Sequence, residues 1–270
     1  MALFDIIDDI TEKQVMKTET GDNRMLGVVL GIVVKNYDRD MPGRVCVEIP
    51  TRDQQANELK WARVAMPYSG TKWGYYYLPE IGDQVLLAFE QGNIEKPYII
   101  GSIPKDANPF LRDSVHANNM FKNITTKNGN TIAIEDNPQG EGMKDKIRIV
   151  TSTGTHRLEL DNEQNRILLS DKEGKNSMEF LTDRGHLTIK AATNLTIQVG
   201  ETIRLTLNGT NGTATLESTR LNLQIKDSVD VQANANVKLS AGMITHEANG
   251  MLKINSNGPV SVQGNPIKLG

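Results

Sequence analysis

Residues 187–210 have the sequence LTIKAATNLTIQVGETIRLTLNGT, in which every Leu, Ile and Val occupies an odd position, whereas Lys190, Asn194, Gln198, Arg204 and Asn208 occupy even ones. A period of two is typical of a β-strand, because successive side chains point to opposite faces. A second period is superimposed on the first, since apolar pairs begin at Leu187, Leu195 and Ile203. Eight residues accommodate one short strand and one turn. The segment therefore predicts a stack of short strands.

The same pattern extends over residues 121–270. Strand-like segments such as KIRIV and RILLS precede the quoted stretch, and further eight-residue units begin at positions 221, 229, 237, 252 and 260. Each unit offers only two or three apolar side chains, which is too little to hold one strand alone. Stacking many units buries a continuous apolar stripe. The pattern predicts a long stacked β structure, or needle.

Residues 26–103 have a different organisation, with five apolar segments separated by Gly, Pro and Asp turns. These segments are GVVLGIVVKNYD, GRVCVEIP, WARVAMP, GDQVLLAFE and KPYIIGSI. Five short strands in about 80 residues fit a small Greek-key barrel of the oligonucleotide/oligosaccharide-binding (OB) type. The chain is thus predicted to be all-β, with an N-terminal segment (1–24), an OB barrel (25–103), a linker (104–120) and a needle (121–270).

Composition limits the classes of partner and compartment. The net charge of -3 and the isoelectric point near 5.9 give no overall sign of the basic face that binds nucleic acid, so no nucleic-acid partner is expected. The single cysteine, Cys46, excludes an internal disulfide. The first 13 residues carry acids where a secretory signal carries Lys or Arg, so we expect synthesis in the cytoplasm without a signal peptide.

The N-terminal segment contains Leu3, Ile6, Ile7 and Ile10 at helical spacing, with aspartates between them. This spacing predicts a short amphipathic helix. Such a short helix is marginal in water by itself. We expect it to dock on the body of this protein or on a partner.

The order of motifs in the barrel resembles a known family. The motifs are the strand entry Gly43-Arg44-Val45, the strand Trp61-Ala62-Arg63-Val64, the turn Gly82-Asp83 after Pro79, and the exit PYIIG at residues 97–101. Their order and spacing resemble the barrel of central spike proteins in contractile injection systems. That family includes phage baseplate assembly protein V, tailocin and extracellular injection spikes, and the C-terminal half of type VI valine-glycine repeat proteins. The segment TTKNGNTIAIEDN at residues 125–137 is similar to the start of the type VI needle.

The resemblance, which covers roughly residues 25–270, implies both a fold and a function. It implies a homotrimer whose C-terminal region is an intertwined β-helix or β-prism with one strand per face. Units of eight residues suit such a prism better than the longer coils of a single-chain β-helix. The implied function is that of a structural spike, without enzymatic activity or cofactor, in the baseplate of a contractile particle. It contacts the target membrane transiently during injection.

The resemblance also implies partners at both ends. Only about 25 residues precede the barrel, so we expect a separate trimeric hub protein, contacted through the four residues of the N-terminal helix. This favours a phage, tailocin or extracellular particle over type VI secretion. The sequence ends without a tapering domain, so we expect a small tip protein of the Pro-Ala-Ala-Arg repeat type. The expected tip contacts are Pro266, Ile267, Lys268, Leu269 and Gly270.

Other sites and functions have weaker support in the sequence. Some spikes of the family hold iron through a terminal His-x-His pair, whereas this sequence has only THEANG there. His246 is therefore the one metal candidate, through three copies on a trimer axis, and a surface histidine is the simpler interpretation. Two alternatives remain open, a β-helical polysaccharide-degrading enzyme and a nucleic-acid-binding barrel with an oligomerising tail. The first requires a groove of clustered charges, and the second requires a basic groove beside aromatics such as Trp61 and Trp73.

Overall fold

The structure is a computed structural model that describes residues 24–51, 59–106 and 108–268. Within these ranges the strands form a closed five-stranded barrel, a seven-stranded sheet and a three-stranded sheet. The described residues contain one α-helix, of six residues, beside two short 3-10 turns. The all-β class predicted from the alternating sequence is confirmed.

The barrel is built from the five segments that the sequence analysis identified. They form β1 (Val29–Lys35), β2 (Arg44–Glu48), β3 (Lys60–Val64), β4 (Gln84–Phe89) and β5 (Pro97–Ile103). The strands close in the order β1-β2-β3-β5-β4, with β3 and β5 parallel and the other pairs antiparallel. Closure removes the free strand edges. The predicted OB-type barrel is confirmed.

The barrel core consists of small aliphatic side chains from alternate strand positions. Val45, Val47, Val85 and Leu87 are completely buried there. Gly31 allows β1 to approach β4 closely, since a Cβ atom at this position would lie 2.7 Å from Leu87 Cδ1. A chain with few aromatic residues can therefore still fill a barrel of this size.

The predicted linker contains a short helix that the sequence pattern did not reveal. Helix α1 (Pro109–Ser114) starts after Asn108, whose side-chain Oδ1 accepts a hydrogen bond of 2.9 Å from the backbone N–H of Phe110. Asn at the N-cap followed by Pro in the first turn is a favourable helix start. None of its residues is buried, so α1 connects two elements without adding to a core.

The seven-stranded sheet follows α1 and pairs strands in the order of the sequence. Its strands are β6 (Phe121–Thr125), β7 (Thr131–Glu135), β8 (Lys146–Val150), β9 (His156–Asp161), β10 (Arg166–Asp171), β11 (Ser177–Leu181) and β12 (His186–Lys190). All neighbours are antiparallel. The sheet is therefore a continuous meander of one chain.

The three-stranded sheet contains β13 (Asn194–Val199), β14 (Ile203–Asn208) and β15 (Thr213–Glu217), also paired in sequence order. Beyond it, residues 218–268 form no strand within the chain, although their sequence alternates as strongly as that of the sheets. All residues from 209 to 268 are exposed. A strand requires a neighbour for its backbone groups, and a single chain supplies none to this segment.

Candidate assembly surface

One face of the seven-stranded sheet carries two continuous rows of apolar side chains, which we call the apolar face. The antiparallel register places each member of a row directly opposite the next member on the neighbouring strand. Side chains in such positions lie on the same face and contact each other. The first row is Ile124, Ile132, Ile149, Leu158, Leu169, Met178 and Ile189, and the second is Ile134, Ile147, Leu160, Ile167, Phe180 and Leu187.

Most of the apolar face is open to solvent in a single chain. Leu158, Met178 and Phe180 are half-buried, whereas the other members are exposed, by up to 53% for Leu169 and Leu187. A contiguous apolar patch of this extent marks an interaction surface rather than a solvent-facing one. The face therefore requires a partner to be buried.

The opposite face of the same sheet carries an ion-pair network centred on Glu159, and we call it the ion-pair face. Arg166 Nη2 lies 2.5 Å and Arg148 Nε lies 3.1 Å from the two Glu159 carboxylate oxygens, with Arg157 Nε at 3.8 Å. Burial of Glu159 would raise the pKa of its carboxyl group. The hydrogen bonds and charges of these arginines outweigh burial and lower the pKa.

A second cluster extends the network along the ion-pair face. Lys146 Nζ lies 2.9 Å from Glu163 Oε2 and 3.5 Å from Asp161 Oδ2. The hydrogen bond to Glu163 is the main cause of the raised pKa of Lys146, against a smaller opposing effect of burial. The charged side chains of this face thus neutralise one another within one chain. Most side chains of the apolar face, by contrast, remain exposed in a single chain.

The segment after β15 also exposes apolar side chains in a single chain. Its apolar residues recur in pairs two positions apart, and all of them are exposed. The pairs are Leu221 and Leu223, Val229 and Val231, Val237 and Leu239, Leu252 and Ile254, and Val260 and Val262. Unpaired backbone and unburied aliphatic side chains along some fifty residues are costly in water. This segment also requires a partner.

The residues singled out in the sequence lie partly outside the described ranges. Pro266, Ile267 and Lys268 are described and exposed, whereas Leu269 and Gly270, and the helix residues Leu3, Ile6, Ile7 and Ile10, are outside the described residues. The hub and tip contacts therefore stay predictions.

The metal candidate His246 is exposed. The described ranges contain no group of three or more His, Cys, Asp or Glu side chains placed to hold a metal ion. A site at His246 would need copies from other chains, as the sequence analysis assumed. None of the helices in these ranges has the length and hydropathy of a membrane span.

The pairing of the apolar rows was not predicted from the sequence. A period of two indicates which residues share a face, but it does not show which strand lies next to which. A charged groove on the outside of the barrel, where Arg44 of β2 lies directly opposite Arg63 of β3, was not predicted either. The available signal was the repetition of Arg-Val in GRV and ARV, in two segments predicted to be neighbouring strands.

Comparison with known proteins agrees with the barrel. Residues 29–103 match the family described as the type VI secretion system/phage-baseplate injector OB domain. The type VI secretion system spike protein VgrG1a of Pseudomonas aeruginosa is 29% identical over 126 residues, covering 43% of this chain and 20% of that protein. Spike protein VgrG3 of Vibrio cholerae is 32% identical over 83 residues, covering 30% of this chain and 8% of that protein.

A further relative carries a different description. The actin cross-linking toxin VgrG1 of Vibrio cholerae is 31% identical over 83 residues, which are 30% of this chain and 8% of the toxin. The chain thus spans a fifth or less of the length of these curated relatives. The similarity identifies the barrel as an injector OB domain and relates the chain to spike proteins over part of its length.

Proposed function

We propose that this chain, whose barrel is an injector OB domain, is the central spike of a contractile injection particle. In this role it is a structural protein of the baseplate that pierces the target envelope when the sheath contracts, touching the target membrane only during injection. The observation that carries the proposal is the open apolar face together with segment 209–268, in which every residue is exposed. Both belong to a chain that is related to spike proteins.

The proposal assigns these surfaces to a homotrimer. Three copies of the apolar face turned towards a common axis form one core, while the three ion-pair faces remain in contact with water. Each aliphatic side chain that passes from half-exposed to buried contributes about 1 kcal/mol. With two rows per chain the gain is large enough to hold three chains together. An assembly of this kind leaves no lateral strand edge exposed.

The same assembly supplies neighbours for residues 218–268. Their eight-residue units each provide one strand and one turn, so a prism of three chains places a strand of another chain beside every unit. This arrangement satisfies the backbone groups that one chain leaves unpaired. The exposed apolar pairs then become the continuous interior of the needle.

Two further partners complete the proposal. A hub protein receives the barrels at the base, and a tip protein covers the strand ends at residues 260–270, where Pro266, Ile267 and Lys268 are exposed. Both partners are taken from the resemblance to injection-system spikes. An unpaired end of stacked strands favours a capping partner.

Sedimentation equilibrium of the full chain tests the trimer directly. We expect a single species of three times the chain mass over a wide concentration range, with resistance to heat and detergent. A folded monomer, with β-sheet circular dichroism and no association at micromolar concentration, would refute the proposed needle.

A pull-down with the particle's candidate tip protein tests the distal partner. We expect the full chain to retain it and a chain truncated after Gly258 to lose it. The truncated chain must still sediment as a trimer, which serves as the folding control. Equal retention by both chains would place the tip contact elsewhere.

A further inference from the structure

A groove of about 350 Å³ crosses the ion-pair face from β9 to β12, and we call it the serine groove. The antiparallel register runs one line of directly opposed residues through it. In strand order these are Arg157, Ser170, Ser177 and Lys190. Residues of two turns, Gly154 before β9 and residues 172–174 after β10, also line the groove. The line thus places two hydroxyl groups between two cationic side chains.

The two cationic side chains keep hydrogen-bond donors that the chain itself does not use. Arg157 Nε lies 3.8 Å from Glu159 Oε2, which is too long for a hydrogen bond, and this buried Nε has no hydrogen-bond partner among the described residues. Glu159 instead accepts its hydrogen bonds from Arg148 and Arg166. Lys190 is exposed, and within the described residues its ammonium group forms neither an ion pair nor a hydrogen bond. Both ends of the line therefore have donors for a ligand.

The acids that line the serine groove are paired with other residues. Asp171 accepts three hydrogen bonds from its own turn, the shortest of 2.6 Å. Glu173 Oε2 lies 2.6 Å from Lys175 Nζ, and Glu179 Oε1 lies 3.9 Å from Arg166 Nη1. In the part of the chain that the structure describes, none of the three acids forms an ion pair with either cation of the line. The acids of the groove therefore do not occupy the cations.

The two serines in the middle of the line also have unused donors. Ser170 and Ser177 are half-buried, and within the described residues their hydroxyl groups form no hydrogen bond. Neighbouring strands lie about 4.8 Å apart, so three strand steps separate the backbones of Arg157 and Lys190 by about 14 Å. Both side chains are long, and they can reach a group that lies over the two serines.

This set of donors matches a phosphate group. Arginine binds phosphate through two parallel N–H groups, lysine binds it as a point charge, and a serine hydroxyl donates one hydrogen bond. A phosphate has enough acceptor oxygens for all four side chains, and it carries up to two negative charges. A carboxylate has only two oxygens and a single charge, so it would leave part of the line unused. The volume of the groove also leaves room for the molecule that carries the phosphate.

We propose that the serine groove binds a phosphate group, with Arg157 and Lys190 on its oxygens and with hydrogen bonds from Ser170 and Ser177. Two sources share this chemistry, free phosphate and the phosphate of a lipid headgroup. The inference goes beyond the proposed function, since it concerns one face of one chain and holds whether or not the chain is a spike. In the proposed trimer the ion-pair faces remain in water, so three copies of the groove would be accessible and would bind a surface together.

Titration of inorganic phosphate with the full chain, followed by ³¹P line broadening, tests the proposal. We expect broadening by the wild type, and Arg157→Gln with Lys190→Gln should weaken the affinity about tenfold or more, as the loss of close charge pairs predicts. The matched control is Lys144→Gln with Arg184→Gln, which removes the same charge from turns of the same sheet outside the groove. The control pair should leave the affinity unchanged.

A second variant tests the site without changing its charge. Ser170→Ala with Ser177→Ala removes two hydroxyl groups that have no hydrogen bond within the described residues, so the sheet should keep its circular dichroism. The affinity for inorganic phosphate should fall about threefold or more, as expected for lost hydrogen bonds. An unchanged affinity in this variant would overturn the assignment of the site.

Vesicles distinguish the two sources of phosphate. The full chain is sedimented with vesicles of phosphatidylcholine alone and with vesicles that also contain phosphatidic acid, whose headgroup is a bare phosphate. Retention by phosphatidic acid that is lost in the Arg157→Gln and Lys190→Gln variant identifies a lipid headgroup, whereas binding of inorganic phosphate without retention identifies free phosphate. The inference is overturned by the absence of groove-dependent binding in both arms, by an equal loss in the control pair, or by equally strong competition from acetate.

Discussion

The barrel and the seven-stranded sheet contain strands of similar length and similar aliphatic residues. The barrel buries these residues within one chain, whereas the sheet leaves most of them exposed. The barrel closes upon itself through the β3–β5 pair, so that Val47 and Leu87 are fully buried in one chain. The seven-stranded sheet stays open, and most of its apolar face is exposed, while the charged side chains of its ion-pair face form ion pairs with one another. Closure within a chain produces a self-sufficient domain, and an open meander produces an assembly surface.

The strongest test of this comparison introduces a charge into the apolar face. We expect Ile149→Asp to abolish the proposed trimer, because an unpaired carboxylate would be buried three times in one core, at a cost of several kcal/mol per chain. Sedimentation measures the loss. Val150→Asp is the matched control, since this neighbour lies on the ion-pair face opposite Arg157 and should leave the trimer intact. Dissociation by both variants would contradict the assignment of the two faces.

A large-to-small substitution in the barrel core tests whether the barrel is stable independently of the sheet. Leu87→Ala removes a completely buried side chain and should destabilise the barrel by about 2–5 kcal/mol. Denaturation monitored by tryptophan fluorescence reports this loss, because both tryptophans of the chain, Trp61 and Trp73, lie within residues 25–103. The full-length variant should still sediment as the proposed trimer. Loss of the trimer in this variant would show that the barrel and the needle do not fold independently.

Glu159→Gln tests the ion-pair face, whose charged side chains pair with one another within one chain. The variant leaves three arginines without their shared carboxylate, and we expect a loss of about 1–3 kcal/mol at neutral pH. Thermal unfolding of both proteins measures the difference. An unchanged melting temperature would mean that the ion-pair face is not a source of stability.

The difference in stability between wild type and Glu159→Gln should depend on pH, because the pKa of the Glu159 carboxyl group is lowered. A carboxyl group with a depressed folded-state pKa stabilises the protein above its unfolded value, which is 4.5 for this group, and the contribution disappears as the pH falls through the folded value. The gap between wild type and Glu159→Gln should therefore be constant above pH 5 or so and close under more acidic conditions. A gap that widens on acidification would contradict the sign of the shift.

The smallest effect on stability is expected for an ion pair between the barrel and the seven-stranded sheet. Lys127 Nζ lies 3.2 Å from Glu80 Oε2, and both side chains are largely exposed. Lys127→Ala should change the stability by less than about 1 kcal/mol, as for other surface ion pairs. High salt should mimic the substitution. A larger loss would show that barrel and sheet depend on each other more than their separate cores suggest.

Most of the fold could be predicted because its strands carry a clear local signal. Alternation located the strands of the barrel and of the two sheets, and Gly or Asp turns separated them. It also predicted strands in residues 218–268, which form none within one chain. The short helix α1 was missed because six residues contain too little periodicity, although Asn108 and Pro109 gave a capping signal. The groove was missed because the encounter of Arg44 with Arg63 depends on strand register, which a single sequence does not encode locally. The predicted end contacts, such as Ile6 and Leu269, lie outside the described residues and remain predictions.

The meander order of the seven-stranded sheet has a consequence for the rate of folding. Each strand pairs with its neighbour in sequence, so the contacts are local and can form in one chain within milliseconds, independently of protein concentration. Residues 218–268 have no neighbouring strand in their own chain. In the proposed trimer they pair only after two other chains have been encountered. Refolding after dilution should therefore have a fast first-order phase and a slow phase whose rate rises with protein concentration.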